Sequence, residues 1–276
     1  MTIRLGHSPD ADDAFMFWAL AEGLVDTPLQ FEHVLRDIQT LNEWAREGKL
    51  EFTALSVHNL AYVADCYCVL THGGSFGDGY GPRLVAREPI PQERLHAYTI
   101  AVPGYLTSAY LALRLFLPDA QTVEMPFDAI MPAVQRGEVP VGLLIHEGQL
   151  TYREAGLHLL LDLGVWWGEQ TGGLPLPLGV NAVRSDLPEW VQREIARAFR
   201  ESIRLGLENR AQAMRYAMQF GRGIDADTAD HFVEMYVNAL TLEMGERGRR
   251  AIEEFLHRGA EAGIVPRATI RYCPTG

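Results

Sequence analysis

The run Val141-Gly142-Leu143-Leu144-Ile145 ends abruptly in His146, Glu147 and Gly148. A short apolar run closed by glycine predicts a buried strand whose last side chains emerge at its carboxyl end, where open α/β sheets keep their ligands. Histidine titrates near neutral pH, so an imidazole there can act as a general base. The same residue can equally be an ordinary strand-end histidine bonded to a neighbouring loop. Small hydroxyls stand at three strand-to-helix turns, Ser8, Ser56 and Thr107-Ser108. Each turn also offers free helix N-terminal amides, which suit a carboxylate or phosphate. Singly, such hydroxyls are helix caps; several aimed at one cleft would form an anion site. Asp10, Asp12 and Asp13 either bind substrate hydroxyls or cap the first helix, and capping is expected of at least one.

The elements that must carry these residues alternate. Ile3 to His7 reads as a strand broken at Ser8-Pro9-Asp10, followed by a helix through Phe15, Phe17, Trp18 and Leu20, apolar on nearly every side. Leu29 to Leu35 is a strand, Asp37 to Ala45 a helix stopped by Gly48, Phe52 to Leu55 a strand ending at Ser56, and Val57 to Ala64 a helix. This βαβα order predicts a mostly parallel sheet. After a strand at Tyr67 to Thr71, residues 73–81 hold five glycines. A phosphate loop would open a helix, whereas Pro82 and the strand-like Arg83 to Ala86 follow, so a crossover with close backbone packing is expected.

Arg87 to Ala97, with Pro89 and Pro91, reads as a linker. A second α/β unit then contains strands at Thr99–Val102, Thr122–Met125, Val141–Ile145 and Leu159–Leu163, with helices beginning at Thr107-Ser108 and Phe127. Trp166 to Pro177 reads as a second crossover and Leu178 to Arg184 as a strand returning to the first sheet. Trp190, Val191, Ile195, Phe199 and Ile203 then repeat at helical spacing. The expected fold is α/β with two domains. The larger comprises 1–96 and 178–276, the smaller, inserted one 97–177, and a ligand cleft lies between them.

Composition narrows the function. A net charge of -12 argues against nucleic acid and anionic membrane surfaces, so any anionic ligand must be held by local donors. No run approaches the ~18 apolar residues of a membrane span. The N-terminus has no basic region followed by an apolar core, so export is not expected. Cys66, Cys68 and Cys273 form neither a disulfide framework nor a zinc pattern, which suggests a reduced, cytoplasmic chain without structural metal.

Several blocks resemble a known family: Ser8 to Phe17, Thr53-Ala54-Leu55-Ser56, Thr107-Ser108-Ala109-Tyr110, Gly142 to Gly148 with Thr151-Tyr152, and Asp162-Leu163-Gly164 through Thr171-Gly172 to Pro175-Leu176-Pro177-Leu178-Gly179. They resemble the 1,4-dihydroxy-6-naphthoate synthases of the futalosine route to menaquinone, over residues 3 to about 265. The opening block departs from the Ser-Pro-Cys-Pro-Asn-Asp form common in that family, which leaves Asp10 and Asp12 without a carried-over role. The resemblance implies a fold similar to type II periplasmic solute-binding proteins and cleavage of cyclic dehypoxanthine futalosine to 1,4-dihydroxy-6-naphthoate and dihydroxyacetone. No metal or organic cofactor is implied.

The family's general base falls on His146, and its substrate-contacting turns fall on Ala54-Leu55-Ser56 and Thr107-Ser108-Ala109. Ser8, Asp12, Asn42 and Leu176 complete the expected binding set. The partner is then a small-molecule carboxylate rather than nucleic acid or membrane, and a homodimer is left open. An apolar wall drawn from Trp166, Trp167 or Leu176 would pack on the flat rings. The rivals are chorismate dehydratase, a sister enzyme disfavoured by the His-Glu block, and a cytoplasmic solute-binding protein without chemistry.

Overall fold

The first strands form exactly where apolar runs meet turn residues. A computed structural model describes residues 1–220 and 225–274; positions 221–224 and 275–276, inside the expected 178–276 segment, lie outside the described residues. The chain begins with β1 (Thr2–His7), α1 (Ala11–Ala21), β2 (Gln30–Leu35), α2 (Ile38–Arg46), β3 (Phe52–Ser56), α3 (Val57–Val63), β4 (Tyr67–Val69), β5 (Ser75–Gly77) and β6 (Arg83–Ala86). It continues with β7 (Thr99–Val102), α4 (Ser108–Phe116), β8 (Gln121–Glu124), α5 (Phe127–Arg136), β9 (Val141–Leu144), α6 (Gly148–Thr151), β10 (His158–Asp162) and α7 (Leu163–Thr171). Last come β11 (Leu176–Arg184), α8 (Glu189–Glu208), α9 (Arg210–Ala217), α10 (Ala226–Tyr236), α11 (Ala239–Leu242) and α12 (Gly245–Glu261).

These strands make two sheets. The first runs β2-β1-β3-β11-β4 with β5 beside β11; the second runs β10-β6-β9-β7-β8. Both are mixed, which corrects the expectation of mostly parallel sheets. Strands joined by helices are parallel, as in β2-β1-β3 and β8-β7-β9. By contrast β6 and β11, the strands by which the chain enters one sheet from the other, pair antiparallel with their neighbours. Only a helical crossover forces parallel pairing, and neither strand arrives by one within its own sheet.

The strand partners also place Arg83–Ala86 in the second sheet, although Pro89 and Pro91 had suggested a linker only after it. Similarly, the aromatic stretch after Asp162 is helical. Asp162 accepts N–H bonds from Gly164 and Val165, and the helix stops at left-handed Gly172, so α7 occupies the first half of the expected second crossover.

The core explains why α1 lacks an amphipathic face. Ala11 to Leu20 are all buried, with the helix lying against α8 and α9. Phe17 stacks on Phe199 at 4.4 Å and meets Phe52 at 5.9 Å. Each such aromatic contributes roughly 1.5–3 kcal/mol through burial. Along α8, Val191, Ile195, Phe199 and Ile203 are buried, whereas Trp190 at its start is 56% exposed and outside the stripe.

The cysteine expectation is overturned. Cys68 and Cys273 form a buried disulfide with Cα atoms 5.0 Å apart, and Cys66 is free and exposed. The C-terminal segment returns beside β4, where Val69 N donates to Arg271 O and Cys273 N to Val69 O. A sequence separation of 205 gave no local spacing from which that pairing could be read.

Candidate active site

A cavity is lined from the strand ends of both sheets and from the helix starts that follow them. Its lining holds two polar groups of different chemistry. One is built from β3 and the turns into α3 and α4, the other from the start of α1 and the turn after β9.

In the first group, Ser56 is the last residue of fully buried β3 but makes no side-chain cap for α3. Instead its Oγ accepts a hydrogen bond from Asn42 Nδ2 at 2.9 Å, while its N–H donates to Asn42 Oδ1 at 2.9 Å. The Ser56 hydroxyl proton thus remains available to a ligand. Thr107 is a true cap, accepting from Tyr110 N at 3.2 Å and donating to Gly104 O at 2.8 Å. Ser108 donates to Leu178 O at 2.6 Å and accepts from His58 N at 3.2 Å, tying α4 to β11 and α3. Among the described lining residues there is no Lys or Arg. An anion there is therefore met by the Ser56 hydroxyl and by the free amides of the α4 start.

In the second group, His146 has φ 52, the one positive value among the described non-glycine residues. That left-handed turn carries its ring off the end of β9. Nδ1 lies 3.1 Å from Asp10 Oδ2, and Phe127 meets the ring edge-on at 4.8 Å. With Nδ1 held by a carboxylate, Nε2 is the nitrogen left for proton chemistry. Asp10 also caps α1, its Oδ1 accepting from Asp13 N. Burial, reinforced by Asp10 and Asp13, pushes the Asp12 carboxyl well above the ordinary range; burial and Asp10 do the same to Asp13 despite its bond from Ser8 N. Tyr236 Oη and the Gln149 amide lie 2.9 Å apart in the adjoining wall.

Buried His7 and His58 are structural. Burial lowers His58 to about 4 and, with His33 adding to it, His7 to about 3, so both are neutral. His58 Nδ1–H donates to Thr107 O at 3.1 Å. For a cation, the described residues offer Asp10, Asp12 and Asp13, whose ligand atoms fall within 4.8 Å of one another. Two of these carboxyls already accept backbone N–H bonds, so the group reads as an acid network rather than a metal cage.

A family model described as menaquinone biosynthesis matches residues 3–261. The chain belongs to that family. The 1,4-dihydroxy-6-naphtoate synthase of Thermus thermophilus is 41% identical over 263 residues, covering 95% of this chain and 96% of that relative. A crystal structure of a protein from Archaeoglobus fulgidus is similar with a TM-score of 0.92 at 49% identity, covering 96% of this chain and 98% of that one. At the level of fold alone, the chain is similar to a Candida albicans protein described as having the generic periplasmic binding protein fold. There the TM-score is 0.68 at 13% identity, covering 100% of this chain and 98% of that one.

Of the expected site residues, His146, Ser8, Asp12, Ala54, Leu55, Ser56, Thr107, Ser108 and Ala109 all line the cavity. Asn42 and Leu176 do not. Asn42 is buried behind the wall and acts through Ser56, also donating to Leu106 O at 3.3 Å. Leu176 is fully buried in the core. A bulge between Pro177 and Gly179 shifts the register of β11, and Leu178 lines the cavity instead. Trp166 and Trp167 are absent from the wall as well. Helix α7 sets Trp166 against Phe116, and Trp167 against Phe255 with its Nε1 donating to Pro175 O. The apolar wall is Ile38, Leu55, Ile145, Leu178 and Phe232.

Residues not singled out by sequence include Asp10 as the partner of His146, with Gln149, Asn181 and Tyr236 in the wall. Glu147 is buried but does not line the cavity; the carboxylate on His146 comes from α1's cap. Asn42→Ala leaves the buried Ser56 N–H without its acceptor and should cost about 1–3 kcal/mol. Urea unfolding is expected to show that loss, together with a rise in KM as the Ser56 hydroxyl loosens.

Proposed function

We propose that this protein acts as a 1,4-dihydroxy-6-naphthoate synthase, converting cyclic dehypoxanthine futalosine to 1,4-dihydroxy-6-naphthoate and dihydroxyacetone with His146 as general base. The observation that carries the reading is the polarity of one cavity. An imidazole paired with a carboxylate and, apart from it, the Ser56 hydroxyl with the helix-start amides of α4 line the same cavity.

The substrate's carboxylate, which becomes that of the naphthoate, is held by Ser56 and the α4 start. Its flat rings lie along Ile38, Leu55, Ile145, Leu178 and Phe232. The sugar-derived fragment then lies toward His146, Asp10 and Asp12. His146 takes a proton from a hydroxyl of the sugar-derived fragment, that oxygen becomes the carbonyl of dihydroxyacetone as the carbon–carbon bond breaks, and the electrons of that bond pass into the ring, which becomes aromatic on taking up one proton. Aromatisation supplies much of the driving force, so one well-placed base suffices, with cleft closure excluding water. Membership of the menaquinone-biosynthesis family and the naming of the Thermus relative support the same reading.

Among the described residues no helix is long and apolar enough to cross a membrane. A cytoplasmic site of action is part of the proposal, supported by the relative's biosynthetic role. Burial of Cys68 and Cys273 is compatible with it, since access limits exchange with thiols.

The test is to incubate the purified protein with cyclic dehypoxanthine futalosine and follow both products by absorbance and mass. Naphthoate and dihydroxyacetone in equal amounts are expected. Binding without conversion would leave a solute-binding protein and overturn the reading.

A further inference from the structure

His146 follows β9 of the second sheet, whereas Asp10 caps α1, which follows β1 of the first. The two meet across the cavity. Both Asp10 oxygens are engaged, Oδ1 accepting from Asp13 N at 3.3 Å and Oδ2 lying 3.1 Å from His146 Nδ1. We propose that Asp10 is the positioning residue for His146, fixing its tautomer and ring orientation through a bond that joins the two sheets. The inference rests on the base role given to His146 above and deepens it.

Three observations support this assignment. The His146 backbone is left-handed, so its ring is delivered by a turn rather than by the strand and needs an anchor on its far side. Phe127 offers only an edge contact at 4.8 Å, which limits the ring but cannot choose between its nitrogens. Asp10, itself 2% exposed, has no freedom to swing away because the α1 cap holds its other oxygen.

The neighbouring acids sharpen the arrangement. Burial and Asp10 raise the carboxyls of Asp12 and Asp13 well above the ordinary range, and Glu147 adds to the effect at Asp12. A carboxylate accepting from Nδ1–H leaves Nε2 unprotonated and able to accept a substrate proton.

The test uses the whole protein with ¹⁵N-labelled histidine. In the resting wild type, His146, assigned by the signal lost in His146→Ala, is expected to show protonated Nδ1 and unprotonated Nε2. Asp10→Ser keeps a strong helix-capping side chain but removes the reach to the imidazole. That variant should melt close to the wild type, lose the Nδ1-protonated signature, and lose roughly 10- to 10³-fold in kcat with KM within about 3-fold.

An Nε2-protonated His146 in the wild type would overturn the proposal. So would an unchanged kcat in Asp10→Ser, or a raised KM at unchanged kcat, which would make Asp10 a substrate ligand. A stoichiometric divalent cation in the wild type, lost in Asp10→Ser, would also overturn it by making the cluster a metal site. The tautomer is read without turnover, so failure of the positioning role is distinguishable from failure of the catalytic reading.

Discussion

Replacing His146 with alanine is expected to lower kcat by on the order of 10³-fold while the Kd for substrate stays within a few-fold. General bases typically contribute 10²- to 10⁴-fold, and the described cavity holds no second histidine in its lining. Affinity, in contrast, is assigned to other groups: the Ser56 hydroxyl, the amides at the α4 start and the apolar wall through Leu178 and Phe232. The variant should therefore bind and not turn over. Partial recovery of rate by added imidazole would identify the missing group as a base. Equal losses in kcat and affinity would instead make His146 a binding residue.

The second large effect concerns stability. Gly164→Ala should destabilise the protein by about 3 kcal/mol or more, because the added Cβ would lie 1.9 Å from Tyr80 O and 2.6 Å from Gly81 N. Those atoms belong to the backbone and cannot rotate away. The contact packs the crossover before β6 against the first turn of α7, where Leu163 N donates to Pro82 O at 2.9 Å and Asp162 pairs with Arg83 at 3.0 Å. Pro82 also lines the cavity, so a displaced crossover should raise KM as well. Gly168→Ala in the same helix is the control. Nothing lies within 4 Å of its Cβ position, and the change should stabilise by about 0.5–1 kcal/mol. Urea midpoints of the two variants should move in opposite directions.

Much of this arrangement was legible because its signals are local. The strand-helix alternation from β1 to α3, a helix cap among Asp10, Asp12 and Asp13, the hydroxyls at Ser56 and Thr107-Ser108 and the strand delivering His146 each depend on residues close together in the chain. The glycine-rich stretch 73–81 was also readable as close packing, and the contacts at Gly81 and Gly164 give the physical cause.

What escaped depended on partners distant in sequence. The four residues of β6 carry no mark of which sheet they join, and the return of Cys273 to Cys68 has no local signature. Tryptophans 166 and 167 looked like a cleft wall because Gly and Pro around them suggested a loop, whereas Asp162 caps a helix that turns them inward. The contact of His146 with Asp10 is of the same kind, since a left-handed residue after the strand end turns the ring toward a carboxylate 136 positions earlier in the chain.

The most direct test of the account is a crystal structure of the His146→Ala protein with intact cyclic dehypoxanthine futalosine in the cleft. The account predicts the substrate carboxylate within hydrogen-bonding distance of Ser56 and the α4 start, with the sugar-derived hydroxyls beside Asp10 and the space left by the imidazole. A substrate bound in the reverse sense, with its carboxylate at the aspartates, or bound outside the cavity, would contradict it.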